Sequence, residues 1–83
     1  MAESSVIEQA IVGFIAEFMN ISIKSRDEAL VYLLTSIQQF ELLVFIESEY
    51  GVELPPLAVS EAHSTVARLA ADISAQLQPR DPR

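Results

Sequence analysis

Apolar residues recur at helical spacing in three stretches of the chain, and each stretch predicts a helix. In the first, Ile7, Ile11, Phe14 and Phe18 follow one another on one side, with Val6, Ala10 and Ile15 widening the stripe. Ser5-Val6-Ile7-Glu8 fits a capping box, in which a serine oxygen and a glutamate three residues later satisfy free backbone N–H groups. Asn20 supplies a left-handed stop. Residues 20–34 then form a long connection, in which Ile21 and Ile23 alternate with polar residues and Leu30, Tyr32, Leu33 and Leu34 are apolar enough to pack down. A short helical turn is expected between Asp27 and Leu33.

Thr35-Ser36-Ile37-Gln38 is a second capping box, with Thr35 as N-cap, and opens a helix that runs to Tyr50, where Gly51 is the left-handed stop. Leu42, Leu43, Ile46 and Tyr50 fall on one side, the expected core face. Ile37, Phe40, Glu41, Val44, Glu47 and Ser48 fall on the opposite side. That mixture has two readings: Ile37 and Phe40 tuck beneath the preceding loop, or the face is a docking surface for protein partners. Beyond Gly51, Val52 to Pro56 reads as extended, because each proline disfavours helix at the residue before it. A short helix is expected around Val59–His63. Ser64 or Thr65 then caps a final helix with Val66, Leu69, Ala70, Ile73 and Leu77 at core spacing. These elements predict an all-α fold, a small bundle of three main helices plus one short helix. Residues 1–77 are expected to form one domain, and residues 78–83, with two prolines, a flexible tail.

Composition narrows the function. In 83 residues there is no cysteine and a single histidine, His63, so disulfides, thiolate metal sites and cysteine nucleophiles are excluded. His63 has no second histidine or acidic cluster beside it in sequence and is read as a surface or capping residue. No catalytic or metal-binding residue is assigned, and the chain is not read as an enzyme. Net charge is −7. Between Asp27 and Ala67 there are acids at 27, 28, 41, 47, 49, 53 and 61 and no lysine or arginine. Such a field repels nucleic-acid backbones and anionic membranes and steers a partner with a basic face toward the chain. No stretch reaches the roughly 20 apolar residues of a membrane span. The acidic start, Met1 to Ser5, lacks a signal-peptide layout, so a cytoplasmic monomer is expected.

The run Thr35-Ser36-Ile37, followed by Glu41-Leu42-Leu43-Val44-Phe45-Ile46-Glu47-Ser48-Glu49-Tyr50-Gly51-Val52-Glu53-Leu54-Pro55, resembles the acyl carrier proteins. In that family an Asp-Ser-Leu motif opens the second helix, which ends in an aromatic residue, Gly, an aliphatic residue, Glu, an aliphatic residue and Pro. Thr65-Val66 with Leu69-Ala70 and Ile73 is similar to the family's last helix. The resemblance implies that Ser36 carries 4′-phosphopantetheine through a phosphodiester, added by a phosphopantetheinyl transferase, and that acyl or polyketide chains ride as thioesters on its thiol. It implies partners among acyl-loading, condensing and acyl-transfer enzymes with basic docking faces. Ile37, Phe40 and Val44 would meet them through apolar contact, and Glu41, Glu47 and Glu49 through charge.

The residues themselves agree on Ser36. A phosphodiester on the first residue of a capped helix meets free N–H groups and the positive end of the helix dipole. Two departures from the family pattern stand out. Thr35 replaces the aspartate, keeping the cap but not the carboxylate, and the glycine common shortly before the serine is missing. Both fit a specialised-pathway carrier better than a general fatty-acid carrier. A carrier-like interaction or regulatory module that keeps the fold but is not modified is the alternative. An unrelated acidic bundle that binds a basic helix in a groove is the third reading.

Overall fold

A computed structural model describes residues 4–77. Among these there are four α-helices and no strand: α1 (Ser4–Phe18), α2 (Ser36–Tyr50), the short α3 (Leu57–Ser60) and α4 (Val66–Leu77), with a 3-10 turn at Leu30–Tyr32. The all-α reading holds. The expected tail, 78–83, lies outside the described residues.

The core is wholly aliphatic among its large side chains. Ile7, Ile11 and Ile15 of α1, Leu42 and Ile46 of α2, and Val66, Leu69, Ala70 and Ile73 of α4 are fully buried, joined by Leu30, Leu34, Val52 and Val59 from the connections. Burying each large member is worth about 1.5–3 kcal/mol relative to exposure. α1 packs most extensively against α4, which leaves α2 with one face on the core and the other turned out.

The long connection is pinned at two points, Arg26 and Leu30. The Leu30 N–H donates to the Ser64 carbonyl (2.9 Å), and the Ala67 N–H donates to the Arg26 carbonyl (3.1 Å). Within it, the N–H groups of Lys24 and Ser25 both donate to Glu28 Oε1. The loop before Ser36 is thereby tied to the start of α4, and the position of the α2 N-terminus is set by backbone bonds as well as by packing.

Several expectations are corrected. Ser5 lies inside α1, so it does not cap the helix; Glu8, the other half of the expected box, accepts from Arg26 Nη1 at 2.6 Å instead. That cation from the loop is a stronger donor than a neutral backbone N–H, and Glu8, by accepting its hydrogen bond and by its charge, holds the Arg26 guanidinium more firmly protonated. Val6, expected to widen the α1 stripe, is exposed, and so are Phe18 and Tyr32, expected to pack down. Phe18 keeps helical spacing but extends past the edge of the core, with its ring against that of Phe14, centroids 4.9 Å apart. Tyr32 sits on the outer side of the 3-10 turn, whose inner side is taken by Leu30. The short helix begins at Leu57, earlier than Val59, because Pro56 adopts helical angles (φ −55°, ψ −30°) rather than extended ones, as proline can in a first helical turn. At the start of α4, Thr65 Oγ1 accepts from the Arg68 N–H, while Ser64 is buried and donates to the Leu57 carbonyl.

Candidate functional site

The N-terminus of α2 is built as the sequence implies. Thr35 Oγ1 accepts from the Gln38 N–H (3.2 Å), and Gln38 Oε1 accepts from the Thr35 N–H (3.0 Å), closing both halves of the capping box. The Thr35 carbonyl accepts from the Gln39 N–H (2.9 Å), and Gln39 Nε2 donates back to the Leu34 carbonyl (3.0 Å). The N–H groups of Ser36 and Ile37 have no partner among the described residues. Ser36 is exposed as the first helical residue, and no acid lies in the first turn. An anion attached to its hydroxyl would therefore meet two free donors and the helix dipole, worth about 0.3–1 kcal/mol at an exposed site, without a carboxylate beside it in the turn.

The cap has a testable weight. Thr35→Ala removes the acceptor for the Gln38 N–H and is expected to cost about 0.5–2 kcal/mol. Thermal denaturation gives the loss, and faster amide exchange at Ser36 to Gln39 would locate it.

On the outer face of α2, Ile37 is 73% and Phe40 66% exposed, and Val44 is about half exposed. Of the two readings of this face, burial beneath the loop is excluded. Glu41 and Glu47 are exposed on the same face, so these five residues form one mixed apolar and acidic stripe. Glu49 is also exposed but lies roughly 120° round the helix from Ile37, at about 100° per residue. It belongs to the molecule's field rather than to the stripe. At the far end of α2, Gly51 is left-handed (φ 66°), and its N–H donates to the Glu47 carbonyl. Beside it the Tyr50 phenol is held above its ordinary 10.0, first by loss of solvent and then by Glu49.

Phe40 stands where three shallow grooves meet. One, of about 210 Å³, begins at Ser36 and is lined by Gln39, Leu43, Pro56, Val59 and Ser60. A second, of about 330 Å³, continues along Leu43, Val44 and Glu47 to Glu53, Leu54 and Pro56. A third, of about 510 Å³, lies between α2 and α1. Ser36 is thus an exposed hydroxyl at a helix terminus with apolar surface leading away from it, and no titratable side chain lies between Thr35 and Phe40.

A family model described as a phosphopantetheine attachment site matches residues 9–73, most of the chain. The chain belongs to that family. No curated protein and no solved structure gives a significant match. This carrier domain takes 4′-phosphopantetheine as a covalent group, and the free donors at the α2 terminus suit the phosphate of such an arm. The group supplies a thiol at the end of a long flexible chain, chemistry that a protein without cysteine cannot provide itself. No helix among the described residues is long and apolar enough to cross a membrane.

His63, given no role from the sequence, is exposed with Nε2 3.2 Å from Glu61 Oε1. The reading of the sequence missed Phe45, half-buried and stacked on Phe14 with ring centroids 4.2 Å apart. The available signal was the clustering of all four phenylalanines on the two helices, two on each.

Proposed function

We propose that this chain is an acyl carrier protein that holds acyl or polyketide intermediates as thioesters on a 4′-phosphopantetheine arm at Ser36 and presents them to partner enzymes. The observation that carries the assignment to Ser36 is its exposed hydroxyl at the capped α2 terminus, beside two unpartnered N–H groups. In the transfer, the Ser36 oxygen bonds to the pantetheine-bearing phosphorus of coenzyme A, the pyrophosphate bond breaks, and the nucleotide half departs. The hydroxyl proton goes to a base of the phosphopantetheinyl transferase, since residues 35–40 offer none. The carrier then catalyses nothing and acts in the cytoplasm as a monomer, kept apart from its own copies by its charge of −7.

Ile37, Phe40 and Val44 give partners an apolar contact, and Glu41, Glu47 and Glu49 draw in their arginines and lysines. Rim charges of this kind act on association rate more than on residence time. Glu41→Lys and Glu47→Lys are each expected to slow arm transfer several-fold at low salt, with the difference shrinking as salt rises. Equal rates at low salt would remove the acidic face from the account.

The thioester function is tested by incubating the unmodified chain with a broad-specificity transferase and acetyl-coenzyme A. Protein-bound acetyl that neutral hydroxylamine releases supports the carrier. Its absence with several transferases favours the unmodified interaction module, to which Thr35, in place of an aspartate, lends its support.

A further inference from the structure

All four phenylalanines of the chain line one open groove. Phe14 and Phe45, stacked at 4.2 Å and 15°, are half-buried in its lining. Phe18, 77% exposed, and Phe40, 66% exposed, stand more open to solvent, with Val44 beside Phe40. None of the four belongs to the fully buried core, which is built from Ile, Leu, Val and Ala. A small domain that gathers every phenylalanine at one surface groove, while filling its core with aliphatics, presents an apolar patch of the kind that marks an interaction site.

Charge selects the occupant. α1 and α2 together carry Glu8, Glu17, Glu41, Glu47 and Glu49 and no lysine or arginine, and Glu41 lines the groove itself. Among the described residues only Glu8 of these is neutralised, by Arg26. A second copy of this chain, at −7, is repelled. The groove does not include Ser36, whose own groove leads toward α3. We propose that the α1–α2 groove binds a cationic amphipathic helix of a partner protein, which seats a large apolar side chain among the four rings and sets arginines or lysines beside Glu41. The proposal deepens the carrier reading by naming the partner's chemistry and by making α1 part of the docking site. It rests on that reading for the reason a partner must come and go.

The test is an amide NMR titration of the full chain with a synthetic helical peptide carrying leucine and phenylalanine on one face and arginine on its flanks. Its counterpart with glutamate for arginine is titrated in parallel. Saturable shifts at Phe14, Phe18 and Phe45 are expected with the arginine peptide and not with the glutamate peptide. Phe18→Ala is expected to weaken binding about tenfold with an unchanged circular dichroism spectrum, because the side chain is mostly exposed. Phe40→Ala provides a second reduction should Phe18→Ala disturb α1. Equal binding of both peptides would overturn the proposal, as would shifts confined to Ile37–Glu47. It would also fall if the groove residues shifted on dilution of the chain alone, which identifies a second copy, or if decanoate filled the groove and the peptide did not. Ser36→Ala is expected to bind the peptide as the parent does, so failure of arm attachment and failure of the groove are separately visible.

Discussion

Ser36→Ala is expected to abolish every form of cargo attachment while leaving the fold unchanged. The hydroxyl is exposed and makes no hydrogen bond that supports α2; the cap belongs to Thr35 and Gln38. Alanine is also the best helix former, so the midpoint of thermal unfolding should stay within the shift that about 0.5 kcal/mol produces. Transfer of the acetyl-bearing arm should fall to background, because neighbouring residues cannot substitute. Thr35 is outside the helix with its oxygen engaged, and no other serine or threonine lies near the terminus in sequence. Such complete loss with full stability separates an attachment residue from a structural one. If the variant still accepted the arm at another residue, the geometry of the α2 terminus would not be what directs modification.

Ile46→Ala has the opposite signature. Ile46 is fully buried on the inner face of α2, among aliphatic side chains from α1, α4 and the connections. Removing its outer carbons loses both the transfer free energy and the contacts around the cavity, typically about 2–5 kcal/mol. Domains hold only about 5–15 kcal/mol in total, and one this small lies at the lower end. At about 4–8 °C per kcal/mol, the unfolding midpoint should drop by at least roughly 8 °C, and part of the population should be unfolded at 37 °C. Ile37→Ala is the matched control. It removes the same atoms from the same helix on its exposed face, and it should change stability by no more than about 0.5 kcal/mol. Calorimetry of the two variants thereby checks which side of α2 faces the core. Equal destabilisation would mean that the stripe of Ile37, Phe40 and Val44 is packed rather than presented.

The limits of α2 were legible because local chemistry specifies them. The reciprocal bonds of Thr35 and Gln38 and the left-handed Gly51 depend on residues adjacent in sequence, and no distant partner competes for them. Ile7 and Ile11, and the stripe of Val66, Leu69, Ala70 and Ile73, could be read from spacing for the same reason, whereas Ile15, expected only to widen the α1 stripe, proves fully buried. Where a distant group intervened, local reasoning failed. Arg26 took the carboxylate that would have closed a box at Ser5, and the Leu57 carbonyl took the Ser64 hydroxyl, leaving Thr65 as the cap of α4. Spacing also could not say where a stripe stops being covered. Phe18 continues the line of Phe14, but the helices that bury Ile15 do not reach it. At Ser36 the sequence conveyed the chemistry through its resemblance, and the structure added two unpartnered N–H groups and the apolar surface beside them. The α1–α2 groove was beyond reach, because Phe45 meets Phe14 only once two helices are brought together.

The most direct test of the account is the intact mass of the full chain after co-expression with a broad-specificity phosphopantetheinyl transferase, followed by fragmentation to locate any addition. A gain of one phosphopantetheine, carried on Ser36 and absent from Ser36→Ala, is the expected result. An unchanged mass with several transferases, or an arm found on any other residue, would contradict it.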